Sequence, residues 1–369
     1  MKARRLDLIL DLTSRCNLRC TMCHFSAVEQ LRFKPFDVDP GSRGDIELDT
    51  FRHVAAELFP HAYTVTLGCA AEPLLHPHLE EILRICHDCG APRIQVQTNL
   101  LALSAATAQQ LVEHRVSTVA VSIDGTGKES YEKIRVGASW KRVLSRLELL
   151  RKTRLSASSA LPHLRITFTW MRTNRRELTS LPAFAESVGA REIDVRFVVP
   201  TVAVDNRDEL LDTIEPDVLM AELWATARDA TARGLRLSAY PAMEKEPSAD
   251  NSLIGKIRRK IWLLRAGIDG PAQWRRSIVE SFTGCAFPGR TFLIRPNGAV
   301  LPCPFWEHDP IAVMPRDGYQ EIFQSIGLQQ IQTGLRHGCP VGSCQSCHVA
   351  KDAFFRPLLG AGDVFVEPL

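Results

Sequence analysis

The chain has 369 residues, 45% of them hydrophobic and 24% charged, enough to bury a large core in one big domain with a smaller one beside it. A formal net charge of +3 is too mild for a polyanion binder, which argues against nucleic acid as the main partner. No stretch reaches the roughly 18 uninterrupted apolar residues that a membrane-spanning helix needs.

Met1 to Arg5 followed by Leu6–Leu10 has the outline of a signal peptide, but the apolar run is short and contains Asp7. A first buried strand is the better reading, and a cytoplasmic, bacterial protein is expected. Short runs rich in Val, Ile, Thr and Leu predict strands at Leu6–Leu10, Thr64–Leu67, Ile94–Gln97, Val119–Ile123, Leu164–Trp170 and Ile193–Val199. Helical spacing of apolar residues predicts helices at Leu48–Leu58, Leu79–Cys89, Ala105–Val112, Lys141–Leu150 and Leu178–Val188. A helix between successive strands implies parallel pairing. The expected fold class is therefore α/β, a partial (β/α)6 TIM-like barrel with its chemistry at the C-terminal ends of the strands.

After residue 200 the pattern changes. A helix near Pro216–Arg233 and a strand at Leu235–Ala239 lead to the polar segment Pro241–Asn251. A stripe of Ile254, Ile257, Ile261, Leu264 and Ile268 follows, ringed by Lys256, Arg258, Arg259, Lys260 and Arg265. It reads as a surface helix packed on the core, with a lid over an anionic group or membrane-surface docking as sharper alternatives. From Cys285 on, helices are expected to be scarce, as in a small metal-stapled module. The expected units are 1–235 as the barrel, 236–280 as a bridging helical segment, 281–350 as the cysteine-rich module and 351–369 as a tail.

Eleven cysteines are many for such a chain, and in a reducing compartment clusters of them point to metal or catalysis. Cys16, Cys20 and Cys23 follow the first strand with CxxxCxxC spacing. Thiolates are soft ligands that suit iron–sulfur centres, and three of them leave one iron of a cubane open for chemistry. Zinc is the structural alternative, with His24 adjacent. A second group has C-x12-G-x4-C spacing through Cys285, Gly298 and Cys303, then Cys339 and the CxxC pair Cys344 and Cys347. Phe292 to Ile294 and Ala299 to Leu301 flank Asn297-Gly298 as a hairpin that brings Cys285 and Cys303 together. Cys285, Cys303, Cys347 and one of Cys344 and Cys339 can close a second site; the CxxC pair is the preferred reading, with Cys344 as the ligand and Cys339 spare. Ligand chemistry alone leaves zinc and iron–sulfur equally open there.

The first cluster resembles the signature loop of the radical S-adenosylmethionine superfamily, and further motifs extend the resemblance over residues 6–200. Ala70-Ala71-Glu72-Pro73 stands where the family has Gly-Gly-Glu-Pro, a turn contacting the cofactor's amino group. Leu74 to Pro77, Gln97-Thr98-Asn99, Ser122-Ile123-Asp124-Gly125 and Tyr131 to Arg135 are also family-like. The resemblance implies a [4Fe–4S] cluster on Cys16, Cys20 and Cys23. It implies S-adenosylmethionine contacts from Met22, Ala70, Ala71, Glu72, Pro73, Thr98, Asn99, Ser122 and Asp124. Reductive cleavage then gives a 5′-deoxyadenosyl radical that takes hydrogen from a substrate, with a flavodoxin- or ferredoxin-type electron donor. Ala70 and Ala71 depart from glycine, so a slightly different turn is expected. Met22 stands where an aromatic residue often lies against adenine, and can fill that space.

The second group resembles the SPASM or twitch extension of such enzymes. The absence of cysteine after Cys347 fits the twitch form with a single auxiliary [4Fe–4S] cluster. An auxiliary cluster that accepts an electron from a substrate radical makes the net reaction an oxidation. The twitch resemblance, which includes an aminocyclitol dehydrogenase, implies a small polar metabolite such as a sugar or aminocyclitol as substrate. The competing reading is a maturase acting on a ribosomally made peptide. Only fifteen residues precede Cys16, too few for a leader-binding domain, although a separate partner could supply one. A non-catalytic iron–sulfur or zinc scaffold is the third reading. Asp194 and Arg196 alternate with apolar residues on one strand, as candidates for substrate contact or proton transfer, or as a salt bridge. Cys69, Cys86 and Cys89 read as packing, and His76 and His78 as residues at a helix start.

Overall fold

The computed structural model describes residues 6–23, 44–198, 206–240, 285, 287–306, 308–337, 339–345 and 347. The basic stripe from Ile254 to Ile268, His24 and the tail 351–369 lie outside the described residues.

Strand β1 (Leu6–Leu10) alternates buried and half-buried positions, and Leu6, Leu8 and Leu10 have no exposed surface. Its partners continue the pattern: β2 (Ala62–Leu67), β3 (Ile94–Thr98), β4 (Thr118–Ser122), β5 (His163–Trp170), β6 (Glu192–Phe197) and β7 (Arg236–Tyr240). Each pairs with the next in parallel, in registers such as Leu8 with Val65 and Val119 with Leu164. Helices cross between them, because parallel neighbours cannot be joined by a hairpin. Helix α1 (Leu48–Leu58) buries Phe51, Val54, Ala55 and Leu58, and α2 (Leu79–Asp88) buries Leu79, Ile82, Leu83, Ile85 and Cys86. These are single helical faces laid on the sheet. Then come α3 (Ala105–Glu113), α4 (Lys128–Ile134), α5 (Trp140–Ser156), α6 (Leu181–Ser187) and α7 (Pro216–Ala232).

The expected helix over 178–188 is a 3-10 turn, Arg175–Ser180, followed by α6. Pro182 in its first turn has no N–H and restricts the residue before it, so the two pieces differ in pitch. The short α4 was not expected. The expectation of few helices after Cys285 is corrected: α8 (Tyr319–Gln324) and α9 (Ile326–Arg336) lie there, the second capped by Ser325.

The hairpin is present as β8 (Thr291–Ile294) and β9 (Ala299–Leu301), with β10 (Ala312–Val313) antiparallel beyond it. Gly298 turns it at φ +82°, against the Met314 carbonyl. β8 lies parallel to β1, with Asp7 opposite Thr291. One ten-stranded sheet therefore runs in the order β10-β9-β8-β1-β2-β3-β4-β5-β6-β7. Glu57 of α1 accepts the Tyr319 N–H at 3.1 Å, and His61 stacks on the Tyr319 ring, so the later helices dock beside the first one.

Candidate functional site

The chain leaves β1 through Asp11 into the loop that carries Cys16, Cys20 and Cys23. The ends of β2, β3 and helix α4 hold this loop. From the β2 end, Gly68 N–H donates to Leu10 O at 2.7 Å and Glu72 N–H to Arg15 O at 3.0 Å. From the β3 end, Asn99 Nδ2 donates to Asn17 Oδ1 at 2.8 Å. On the β4 side, Arg19 N–H reaches Val136 O and Thr21 N–H reaches Ile134 O, both at 2.9 Å. Cys23 N–H closes a turn on Cys20 O at 3.1 Å. The three thiols influence one another's charge, which places them together. Burial pushes Cys20 up to about 12, with the Arg135 charge opposing it.

The turn after β2 is tied down by two carboxylates. Asp11, only 2% exposed, accepts the N–H groups of Cys69 at 2.8 Å and Ala70 at 2.9 Å through one oxygen, and its other oxygen has no hydrogen bond. Glu72, 1% exposed, accepts from Thr98 Oγ1 at 2.6 Å, Asn99 N–H at 2.7 Å and Leu74 N–H at 3.1 Å. Burial outweighs these donors and pushes the Glu72 carboxyl up to about 7. Pro73 closes over Gly68, whose φ is +92°; a Cβ there would meet Pro73 Cγ at 2.8 Å. Positive φ is thus needed at Gly68, two residues before Ala70.

Ser122, at the end of β4, accepts from Gln97 Nε2 at 2.9 Å. Asp124 is fully buried; its Oδ1 accepts Thr169 N–H at 2.7 Å, and its Oδ2 pairs with Arg135 Nη2 at 2.6 Å. Met22 packs with Ile134, Met171 and Val198 in a small apolar cluster at this end of the sheet. Asp194 and Arg196 form an ion pair at 2.8 Å, and Ser238 Oγ donates to Asp194 at 3.1 Å. The Arg196 charge also acts on Cys69, so β6 and the turn after β2 face the same interior. Cys69 is open to solvent by its surface, yet desolvation pushes its thiol up to about 12.

Cys285, Cys303, Cys344 and Cys347 also lie together: Cys303 responds to the charges of the other three, and Cys344 to those of Cys285 and Cys347. Burial pushes Cys344 up to about 11 and raises Cys303 as well. Cys303 and Cys344 are buried with Leu293, Leu301, Trp306, Ile331 and Leu335. Cys339 is exposed and stands outside that set. Cys86 sits in the core face of α2 and Cys89 at its end. His76 is buried against Ile46 O at 3.2 Å.

Among the described residues no three His, Cys, Asp or Glu side chains close on a single-ion site. The surroundings of Cys20 fit a larger group: Tyr131 Oη and Arg135 Nε are buried there without hydrogen-bond partners. Buried polar atoms are normally satisfied, so orphans beside a thiol mark a place where the folded chain is incomplete. Asp11, Asn17, Arg135 and Asn174 belong to this site without having been singled out as contacts in the sequence. Asp11 carried a usable signal, an acid directly after an alternating apolar strand, and Arg135 ends the family-like run from Tyr131.

Comparison with known proteins bears on the same region. Residues 10–167 match the model of the Radical SAM superfamily. The AdoMet-dependent heme synthase of Methanosarcina barkeri is 27% identical over 201 residues, which are 54% of this chain and 52% of that protein. A tungsten-containing aldehyde ferredoxin oxidoreductase cofactor-modifying protein of Pyrococcus furiosus is 25% identical over 60% of each chain. The alignments thus span only 52% and 60% of these two relatives. The solved structure of anSMEcpe with bound AdoMet has a TM-score of 0.61 at 15% identity, covering 96% of this chain and 85% of that one. Streptococcus suis SuiB bound to S-adenosylmethionine has a TM-score of 0.59 at 13% identity, covering 98% and 74%. These two show the fold, a partial TIM-like barrel. The cysteine loop and the turns after β2, β3 and β4 all lie within the stretch of this chain that is similar to the Radical SAM superfamily.

Proposed function

We propose that Cys16, Cys20 and Cys23 hold a [4Fe–4S] cluster with one open iron, and that the chain uses it to cleave S-adenosylmethionine reductively. The observation that carries this reading is the loop itself, which bears three thiols and is pinned to two strand ends and one helix end beside orphaned buried polar atoms. When bound, cluster and cofactor supply a 5′-deoxyadenosyl radical. The chain's residues do the rest. Asp11 and Glu72 fix the turn from Cys69 to Leu74, Asp124 and Ser122 shape the β4 end, and Met22 offers an apolar wall. Holding reactants in one geometry and excluding water is what the protein adds to a cofactor's chemistry.

The second cysteine group is the proposed seat of an auxiliary [4Fe–4S] cluster of twitch type, supported by the mutual effects of Cys285, Cys303, Cys344 and Cys347. On this reading the substrate radical loses an electron to that cluster, and the net reaction is oxidation of a small polar metabolite. The charged pair Asp194 and Arg196, facing the interior shared with Cys69, supports a polar substrate. A second reading is a peptide substrate: solved structures of the same fold include anSMEcpe with a bound peptide and SuiB bound to precursor peptide SuiA. A flavodoxin- or ferredoxin-type protein is the proposed reductant.

Anaerobic reconstitution with iron and sulfide tests the proposal. About eight irons per chain and release of 5′-deoxyadenosine are expected, and Cys20→Ala should abolish that release. A colourless zinc protein, or full turnover by Cys20→Ala, would refute it. Deuterium transfer into 5′-deoxyadenosine from labelled cyclitols, sugars or short peptides separates the two substrate readings.

A further inference from the structure

Arg135 is an expensive residue to bury. Its side chain is 9% exposed, and a guanidinium taken out of water costs several kcal/mol that an apolar side chain of similar bulk would not. What it touches accounts for it. Nη2 pairs with the fully buried Asp124 at 2.6 Å, while Nη1 donates to Cys20 Sγ at 3.8 Å, a hydrogen-bond length for sulfur.

Both groups are immobilised from outside. Asp124 Oδ1 holds Thr169 N–H at 2.7 Å, and Asp124 O accepts from Asn174 Nδ2 at 3.0 Å. The backbone on either side of Arg135 is bonded to the cysteine loop, through Ile134 O to Thr21 and through Val136 O to Arg19. The guanidinium and the Cys20 sulfur are therefore tied into one hydrogen-bonded unit.

Hydrogen bonds and charges at the ligand sulfurs are among the levers that set an iron–sulfur potential, because the reduced form carries one more negative charge. We infer that Arg135, oriented by Asp124, is a positioning residue that raises the reduction potential of the cluster on Cys16, Cys20 and Cys23 by holding a guanidinium N–H against the Cys20 sulfur. This inference rests on the cluster assignment proposed above. It adds a sign rule: removing the cation lowers the potential, and removing its carboxylate partner raises it.

The test is an anaerobic redox titration of the reconstituted full chain with dithionite and mediators, without S-adenosylmethionine. The cluster is followed by the electron paramagnetic resonance signal that changes when the cofactor is added afterwards. Arg135→Gln should lower the midpoint so that the oxidised-to-reduced ratio at a fixed potential rises at least tenfold, about 59 mV for one electron. Arg135→Lys should stay within about threefold of the unmodified protein, and Asp124→Asn should shift the ratio the other way. Arg135→Gln within threefold of the unmodified protein overturns the inference. Should that variant not load iron, Asp124→Asn decides, and an unmoved or lowered midpoint overturns it. An unmodified protein lacking any cofactor-responsive signal overturns the cluster assignment itself, and this inference with it.

Discussion

Glu72→Gln tests whether the turn after β2 is built around a buried carboxyl that resists ionisation. Burial pushes Glu72 from its ordinary 4.5 up to about 7, despite three donors aimed at it. At about 1.4 kcal/mol for each pH unit of displacement, ionising it in the folded chain costs roughly 3 kcal/mol relative to the unfolded one. Between pH 4.5 and 7 the folded state holds the extra proton, so stability is fully present below 4.5 and is lost as pH rises through 7. Glutamine cannot ionise, but its NH2 faces a donor and forfeits a hydrogen bond, a loss of about 1–2 kcal/mol at every pH. Urea unfolding of the metal-free, thiol-reduced protein at half-unit steps from pH 4.5 to 8 reads the difference between the two proteins. The variant should be the less stable at the acid end, and the difference should swing in its favour by roughly 3 kcal/mol across the series. A difference that stays flat would refute the reasoning and leave Glu72 as an ordinary ionised turn residue.

Cys303→Ala should lower the reconstituted iron content from about eight to about four per chain while 5′-deoxyadenosine is still released with dithionite; Cys339→Ala should leave the iron unchanged. Gly298→Ala forces a side chain into positive φ against the Met314 carbonyl, and unfolding should report a loss of about 2 kcal/mol or more. Glu192 joins Arg165 and Arg236 at the opposite end of the sheet from the cysteine loop. Its change to Gln should lower stability by about 2 kcal/mol in guanidinium unfolding, with no change in the S-adenosylmethionine cleavage rate at 25 °C.

What could be read from the chain depended on how far apart the interacting parts lie. The alternation in Leu6–Leu10 and the face of Leu48–Leu58 are local signals, and both elements stand where periodicity placed them. The cysteine loop was legible because its spacing is local too. Pairing between Asp7 and Thr291 was not, since nothing in either segment names its partner and both carry the same apolar pattern. The hairpin could be seen through Asn297-Gly298, but not its union with β1. Arg135 illustrates a third limit. It stands just past the end of a short helix, and only the meeting of that helix end with the cysteine loop shows that its charge is buried against Cys20.

The place of β1 has a consequence for synthesis on the ribosome. Its first partner, β2, follows early, whereas its second, β8, is translated only after β2 to β7. Until Thr291 to Ile294 emerge, a nascent chain carries a strand with one naked edge, and next to it the loop of three thiols. Exposed strand edges recruit other chains. Late pairing thus leaves the growing polypeptide open to aggregation and oxidation at the segment that carries Cys16, Cys20 and Cys23.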